Sequence, residues 1–207
     1  MQTADTPHPK RVTKRRAETR QRLLDAAGDV FSDEGFGRST VEQVCERAGF
    51  TRGAFYSNFT SLDELFLAMW EQRSTVMLDG IRAALADRPS TLTLESAVER
   101  VLAAIPVDDA WYRITAEFTA HALRNPALKR VMAAREDAIL HTILPIVEDA
   151  LTAAGRRIAD REAMGRALVA IHDGTSVQVL MEPENEAVRQ ARARLFVTVV
   201  SSYSSST

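Results

Sequence analysis

Ser39-Thr40-Val41-Glu42-Gln43-Val44-Cys45-Glu46-Arg47-Ala48-Gly49-Phe50-Thr51-Arg52-Gly53-Ala54-Phe55-Tyr56-Ser57-Asn58-Phe59 holds two short helical patterns joined by one tight turn. Ser39 and Glu42 stand at capping-box spacing and start the first helix. Val41, Val44 and Ala48 give that helix an apolar face, and Cys45 on it reads as a small buried hydrophobe. Gly49 supplies the backbone freedom that a sharp turn needs. The second pattern runs from Thr51 to about Phe59. Its Phe55 and Phe59 can turn inward, while Thr51, Arg52, Gly53, Tyr56 and Ser57 form an outer face of small, polar or basic side chains. Two short helices meeting at a glycine turn, the second with such a face, describe a helix-turn-helix whose second helix fits a DNA major groove about 12 Å wide. Thr51 caps that helix and leaves amides facing outward, which favours phosphate.

N-terminal to this unit, residues 16–34 place Leu23, Leu24, Ala27, Val30 and Phe31 on one helical stripe that stops at Gly35. Charge is uneven along the chain. Residues 1–22 carry seven basic side chains against Asp5 and Glu18, a formal +5, so the other residues carry −7 of the overall −2. Such a front end suits a polyanionic partner, and a solvated basic tail is the plainer alternative.

C-terminal to the unit, Ser61-Leu62-Asp63-Glu64 repeats the capping-box device. The stripe Leu62, Leu65, Phe66, Met69, Val76, Met77 and Ile81 then reaches toward Leu85, before Pro89. Further helices fit 92–105, 108–123, 126–154, 160–181 and 184–202. Asn125-Pro126 opens one of them, and Pro145 inside it predicts a kink or a split. No strict alternation supports a strand. The expected fold is all-α, with about nine helices. Residues 1–13 read as a flexible basic arm, 14–60 as the DNA-binding domain, 61–202 as a ligand-binding and dimerisation domain, and 203–207 as a flexible tail.

The residues Arg16-Ala17-Glu18-Thr19-Arg20, Leu23-Leu24-Asp25-Ala26-Ala27, Phe31, Gly35-Phe36, Thr40-Val41, Ala48 through Tyr56 and Phe59-Thr60-Ser61 form a composite pattern over about residues 13–70. It resembles the N-terminal domain of tetracycline-repressor-like (TetR family) transcriptional regulators. The resemblance implies a homodimer on a palindromic double-stranded operator, with repression relieved when a small molecule enters the C-terminal helices. Carried over by position, Thr51 and Arg52 reach base edges. Thr40, Tyr56 and Ser57 meet phosphate, and Gly53 allows close approach. Apart from the resemblance, Arg15 and Arg16 are candidates for general phosphate contacts or for reading a minor groove, with no DNA contact as the alternative. Two residues depart from the family pattern. Asn58 stands where a histidine or aromatic residue is common and can still bond a phosphate. Leu62 stands where a lysine is common and cannot, so one phosphate anchor at the start of the fourth helix is expected to be missing.

In the C-terminal two-thirds, Trp70, Met77, Trp111, Tyr112, Phe118, His121, Met132 and His141 are candidate lining for an apolar cavity, with core packing as the alternative. The run Ile139, Leu140, Ile143, Leu144, Ile146 and Val147 reads as the central core element. Ala163, Ala167, Ala170 and Gly174, with Val188, Ala191, Leu195 and Val199, mark two helices able to form a four-helix bundle across a two-fold axis.

Other classes find little support. Glu117 and His121 lack a third metal ligand, and the neighbours His172 and Asp173 point to different faces of one helix. No cofactor, metal or catalytic set is expected. A helical carrier or enzyme with an incidental basic arm, and an activator without effector, are the competing readings. The single cysteine excludes a disulfide framework and fits a reducing cytoplasm. No membrane span or signal peptide is evident.

Overall fold

The computed structural model describes residues 14–86 and 93–206; the expected basic arm at 1–13 lies outside them. Nine α-helices account for most of this part of the chain. They are α1 (Lys14–Glu34), α2 (Val41–Ala48), α3 (Arg52–Tyr56), α4 (Leu62–Ala86), α5 (Leu94–Ala104), α6 (Asp109–Ala122), α7 (Pro126–Ala153), α8 (Arg161–Met181) and α9 (Glu186–Tyr203). The chain divides into two units, Met1–Trp70 and Glu71–Thr207.

Aromatic rings fill the core of the first unit. Phe31 meets Phe36 at 5.1 Å, Phe36 meets Phe66 at 5.9 Å, and Phe55 meets Phe59 at 5.9 Å. Leu23, Ala27, Val44 and Leu65 close around them without exposed surface. Removing one such ring costs about 3–5 kcal/mol, enough for this core to hold the short α2 and α3 in register against α1. The stripe expected on α1 is buried as read. On α4, Leu65, Phe66, Met69 and Ile81 are buried, but Val76 is 69% exposed and does not belong to the stripe.

The second unit builds its core where α7, α8 and α9 meet, around Leu144, Leu151, Met164 and Val200, with Leu140, Ile143 and Val147 packed against them. Asn125 caps α7 through hydrogen bonds from the amides of Ala127 and Leu128, and Pro126 occupies the first turn, where no amide donor is needed. Pro145 lies inside α7 without splitting it.

Three further expectations are corrected. Strands do occur: β1 (Arg156–Ile158) pairs antiparallel with β2 (Ser204–Ser206). Ser204–Ser206 is therefore not a loose tail. Arg156 Nε donates to Ser204 Oγ at 3.0 Å and its NH2 to the Ser204 carbonyl at 2.8 Å, while the Ala159 amide donates to the Tyr203 carbonyl at 2.8 Å. The cap of α2 also shifts by one residue. Thr40 and Gln43 form the reciprocal box, because Ser39 Oγ already donates to the Gly35 carbonyl at 2.7 Å.

Candidate nucleic-acid interface

The turn between α2 and α3 is fixed from three sides. Gly49 adopts φ +69, and the amides of Gly49 and Phe50 donate back to the carbonyls of Glu46 and Cys45 at 3.1 and 2.9 Å. This pair of hydrogen bonds over a left-handed residue is a Schellman closure, which satisfies the Cys45 and Glu46 carbonyls at the end of α2. Arg22 of α1 bolts the turn from behind. Its guanidinium donates to the Ala48 carbonyl at 2.7 Å and lies 4.5 Å from the Phe50 ring centre. A methyl group on Gly49 would sit 3.3 Å from that guanidinium, so strain and crowding both demand glycine here.

Thr51 then caps α3 by accepting from the Ala54 amide at 3.3 Å. Phe55 is fully buried and Phe59 nearly so, which turns Arg52, Gly53 and Tyr56 outward. Tyr56 is 51% exposed. A methyl at Gly53 would meet only Thr51 Oγ1, at 3.7 Å, so nothing inside the chain requires glycine at that position. Arg52 is held at both ends of its head group. Its NH1 lies 2.8 Å from Glu42 Oε1, and its guanidinium is 5.8 Å from the Tyr56 ring centre. The Tyr56 hydroxyl and then the Glu42 carboxylate raise the Arg52 pKa above that of a free guanidinium.

The flanking candidates fall in different places. Ser57 Oγ donates to the Gly53 carbonyl at 2.8 Å, and the Ser57 carbonyl accepts from Arg16 NH2 at 3.0 Å, tying α1 to the end of α3. Arg15 lines a groove of about 290 Å³ with Glu18, Thr19, Arg22 and Phe50. Thr40 and Thr51 are exposed cap residues at the starts of α2 and α3. Asn58 is turned the other way: its Nδ2 donates to the Ala54 carbonyl at 2.8 Å, and its buried Oδ1 receives no donor. Leu62 opens α4, half-buried, with Ser61 Oγ accepting from the Glu64 amide at 3.1 Å.

Among the cavity candidates, Trp70 belongs to the first unit and the others to the second. Phe118 is fully buried as a core residue. Trp111 lies under the Arg73 guanidinium at 4.5 Å, and Arg73 NH2 also meets Asp108 Oδ2 at 2.6 Å. Met77, Tyr112, His121 and Met132 are half-buried, whereas His141 is exposed with its Nδ1 2.6 Å from the Asp137 carbonyl of its own helix. No group of three ligating side chains suited to a metal occurs among the described residues. No helix among them is long and apolar enough to cross a membrane.

On the last two helices, Ala163, Ala167, Val188, Ala191 and Val199 are half-buried, and Ala170, Gly174 and Leu195 are exposed, Leu195 by 44%. Beneath them lies a feature that the sequence reading missed. Arg192, only 5% exposed, donates through NH1 to Thr175 Oγ1 and Ser176 Oγ at 3.0 Å each, and its NH2 lies 3.0 Å from His172 Nδ1. Burial first, and the neighbouring guanidinium second, hold the His172 pKa down at about 4. Arg22 and Glu42 were missed as well. Arg22 reads as one more cation of the arm, and Glu42 as a capping residue; only the packing of α1, α2 and α3 reveals their contacts.

Comparison with known proteins follows the same division. A family model described as "Bacterial regulatory proteins, tetR family" matches residues 23–69. Another, described as "BetI-type transcriptional repressor, C-terminal", matches residues 90–201. The transcriptional activator FasR of Mycolicibacterium smegmatis is 33% identical over 103 residues, which are 49% of this chain and 47% of FasR, so the match spans about half the length of that relative. A tetR-family structure from Mesorhizobium loti superposes with a TM-score of 0.70 at 18% identity, covering 92% of this chain and 97% of its own. FadR from Bacillus subtilis, solved in complex with stearoyl-CoA, superposes with a TM-score of 0.65 at 16% identity, covering 87% and 97%.

Proposed function

This chain belongs to the tetR family of bacterial regulatory proteins, and on that premise we propose that it is a ligand-responsive repressor acting as a homodimer on a palindromic operator. The family is one of transcriptional regulators rather than enzymes. The observation that carries the reading is the asymmetry of α3. Phe55 is buried to the last atom, while Arg52, Gly53 and Tyr56 face outward with no intrachain reason for glycine at 53. A face of that kind suits entry into a major groove, with Thr51 and Arg52 at base edges and Thr40, Tyr56 and Ser57 near the sugar-phosphate walls. Arg15 and Arg16 on α1 add charge for the backbone, while the inward turn of Asn58 removes it from that set.

The exposed Ala170, Gly174 and Leu195 on the α8–α9 pair support dimerisation there, in a bundle that would set two recognition helices about one DNA turn apart. The half-buried Trp111, Tyr112, His121 and Met132 support a small effector that is apolar with a polar end. The stearoyl-CoA bound by the Bacillus subtilis neighbour is a molecule of that class. In this mechanism the effector binds best to a dimer whose α3 helices are mis-spaced for the operator, so occupancy of one site lowers affinity at the other. Activation is the second reading, favoured by the description of FasR. The two differ in where the operator lies relative to the promoter.

The test is fluorescence anisotropy of the full chain with labelled duplex from upstream of its own gene, against excess random-sequence competitor at two salt concentrations. A salt-sensitive complex that survives competitor supports the reading, and Arg52→Ala should weaken it about 5- to 150-fold. Binding that competitor abolishes for every upstream duplex, and that Arg52→Ala leaves unchanged, refutes it.

A further inference from the structure

Glu42 presents a puzzle on a DNA-facing surface. A carboxylate near phosphates is repelled, yet this one stands beside the outward arginine of α3 and holds it at 2.8 Å. The stability of the fold does not account for it. Both partners are more than half exposed, and an ion pair in that setting is worth about 0–1 kcal/mol. Nor does the pair add attraction for the backbone: from Val41 to Tyr56, Glu42 and Glu46 cancel Arg47 and Arg52.

The chemistry of the pair points to bases. In the major groove a G·C pair shows two acceptors, guanine N7 and O6, followed by one donor, cytosine N4. Guanine O6 and cytosine N4 are themselves hydrogen bonded, at about 2.9 Å for an N–H···O bond. Arg52 and Glu42 offer the complementary order, guanidinium donors followed by a carboxylate acceptor, with 2.8 Å between the adjoining nitrogen and oxygen. Glu42 Oε1 lies against NH1, one corner of a guanidinium that carries five N–H groups, so donors remain for a base beside both Glu42 and Tyr56. Tyr56 holds the other side of the head group. The donor–acceptor row is thus assembled before DNA arrives.

We infer that Glu42 is a specificity residue: Arg52 and Glu42 together read one G·C pair in each half-site, Arg52 donating to guanine and Glu42 accepting from cytosine N4. This rests on the reading of α3 as the recognition helix. It assigns Glu42 a base contact in place of a purely intrachain one.

The experiment is selection from a pool of random-sequence duplexes by the full-length wild type, Glu42→Ala, Glu42→Gln and Arg52→Ala, with sequencing of the bound fraction. Wild type should enrich a two-fold-symmetric motif. Glu42→Ala should lose about tenfold discrimination at a single base pair per half-site, the same column that Arg52→Ala erases, with the other columns kept. Random duplex should bind Glu42→Ala as well as wild type or better, because a negative charge is gone. Glu42→Gln, which keeps an acceptor, should retain part of the preference. Neither Glu42 variant touches the Thr40–Gln43 cap, and unchanged thermal melting confirms that both are folded. A Glu42→Ala motif identical to wild type in every column, or a loss in a column that Arg52→Ala leaves intact, overturns the inference alone. A wild type that enriches no motif overturns the recognition reading beneath it.

Discussion

Replacing Gly53 by alanine should move stability and DNA affinity in opposite directions. Inside the chain the new methyl meets only Thr51 Oγ1, at the ordinary contact distance of 3.7 Å. Gly53 lies in a helix without a positive φ, so alanine is free to adopt its backbone conformation. The substitution then gains the usual helix advantage, about 0.5–1 kcal/mol, through a less flexible unfolded chain. For a chain of this size that is a rise of about 1–4 °C in melting midpoint. On DNA the same methyl stands between Arg52 and Tyr56, where the backbone of α3 would approach the groove. Holding the helix off by even part of a methyl radius should cost at least about 1.4 kcal/mol, a tenfold loss in Kd. Denaturant or thermal melting reads the first effect. Anisotropy with a duplex recovered by the wild-type protein reads the second. A Gly53→Ala protein that is more stable and binds that duplex undiminished would refute the approach of this face to DNA. One that is less stable would refute the open space drawn around Gly53.

Two further predictions concern the second unit. His172 is held neutral in the folded chain, with its pKa near 4 against 6.5 when unfolded, so the unfolded state takes up more protons between those values. The associated stability is complete above about pH 6.5 and is lost as pH falls toward 4, by up to about 3 kcal/mol. His172→Gln, which keeps an acceptor for Arg192, should flatten the stability–pH curve in that window; an unaltered slope would show that another group governs it. Removing residues 204–207 takes away β2 and both acceptors of Arg156, and should lower stability by about 1–3 kcal/mol. A truncated chain that melts with the full one would return this segment to the status of a solvated tail.

Helix periodicity and stop residues made most of the fold legible, because a buried stripe of four or five apolar side chains leaves little choice of conformation. Leu23, Ala27 and Phe31 on α1 show this, as do Phe55 and Phe59 around α3. The failures have physical reasons. Ser39-x-x-Glu42 and Thr40-x-x-Gln43 share one spacing, and only the turn at Phe36–Arg38, which occupies Ser39, decides between them. The β1–β2 pair escapes any periodic reading: each strand has three residues, and Ser204 lies 48 positions from its anchor Arg156. The intrachain bond of the Asn58 amide to the Ala54 carbonyl has no signature in the sequence, where Asn58 reads as a phosphate contact. Long-range partnerships of charged side chains were the least legible. Arg22, Glu42 and Arg192 each look like ordinary solvated charge in sequence, and each acquires its role from a neighbouring helix.

Arg192 has one more consequence. Its guanidinium is matched to three acceptors on a single turn of α8, Thr175, Ser176 and His172. Sliding α9 along α8 by one helical turn, about 5.4 Å, would strand a buried cation at a cost of several kcal/mol. The arginine therefore works as an index pin: it lets the two helices lock at one setting only. Anything that docks on Ala170, Gly174 and Leu195 meets a surface whose relief was stamped when that pin engaged.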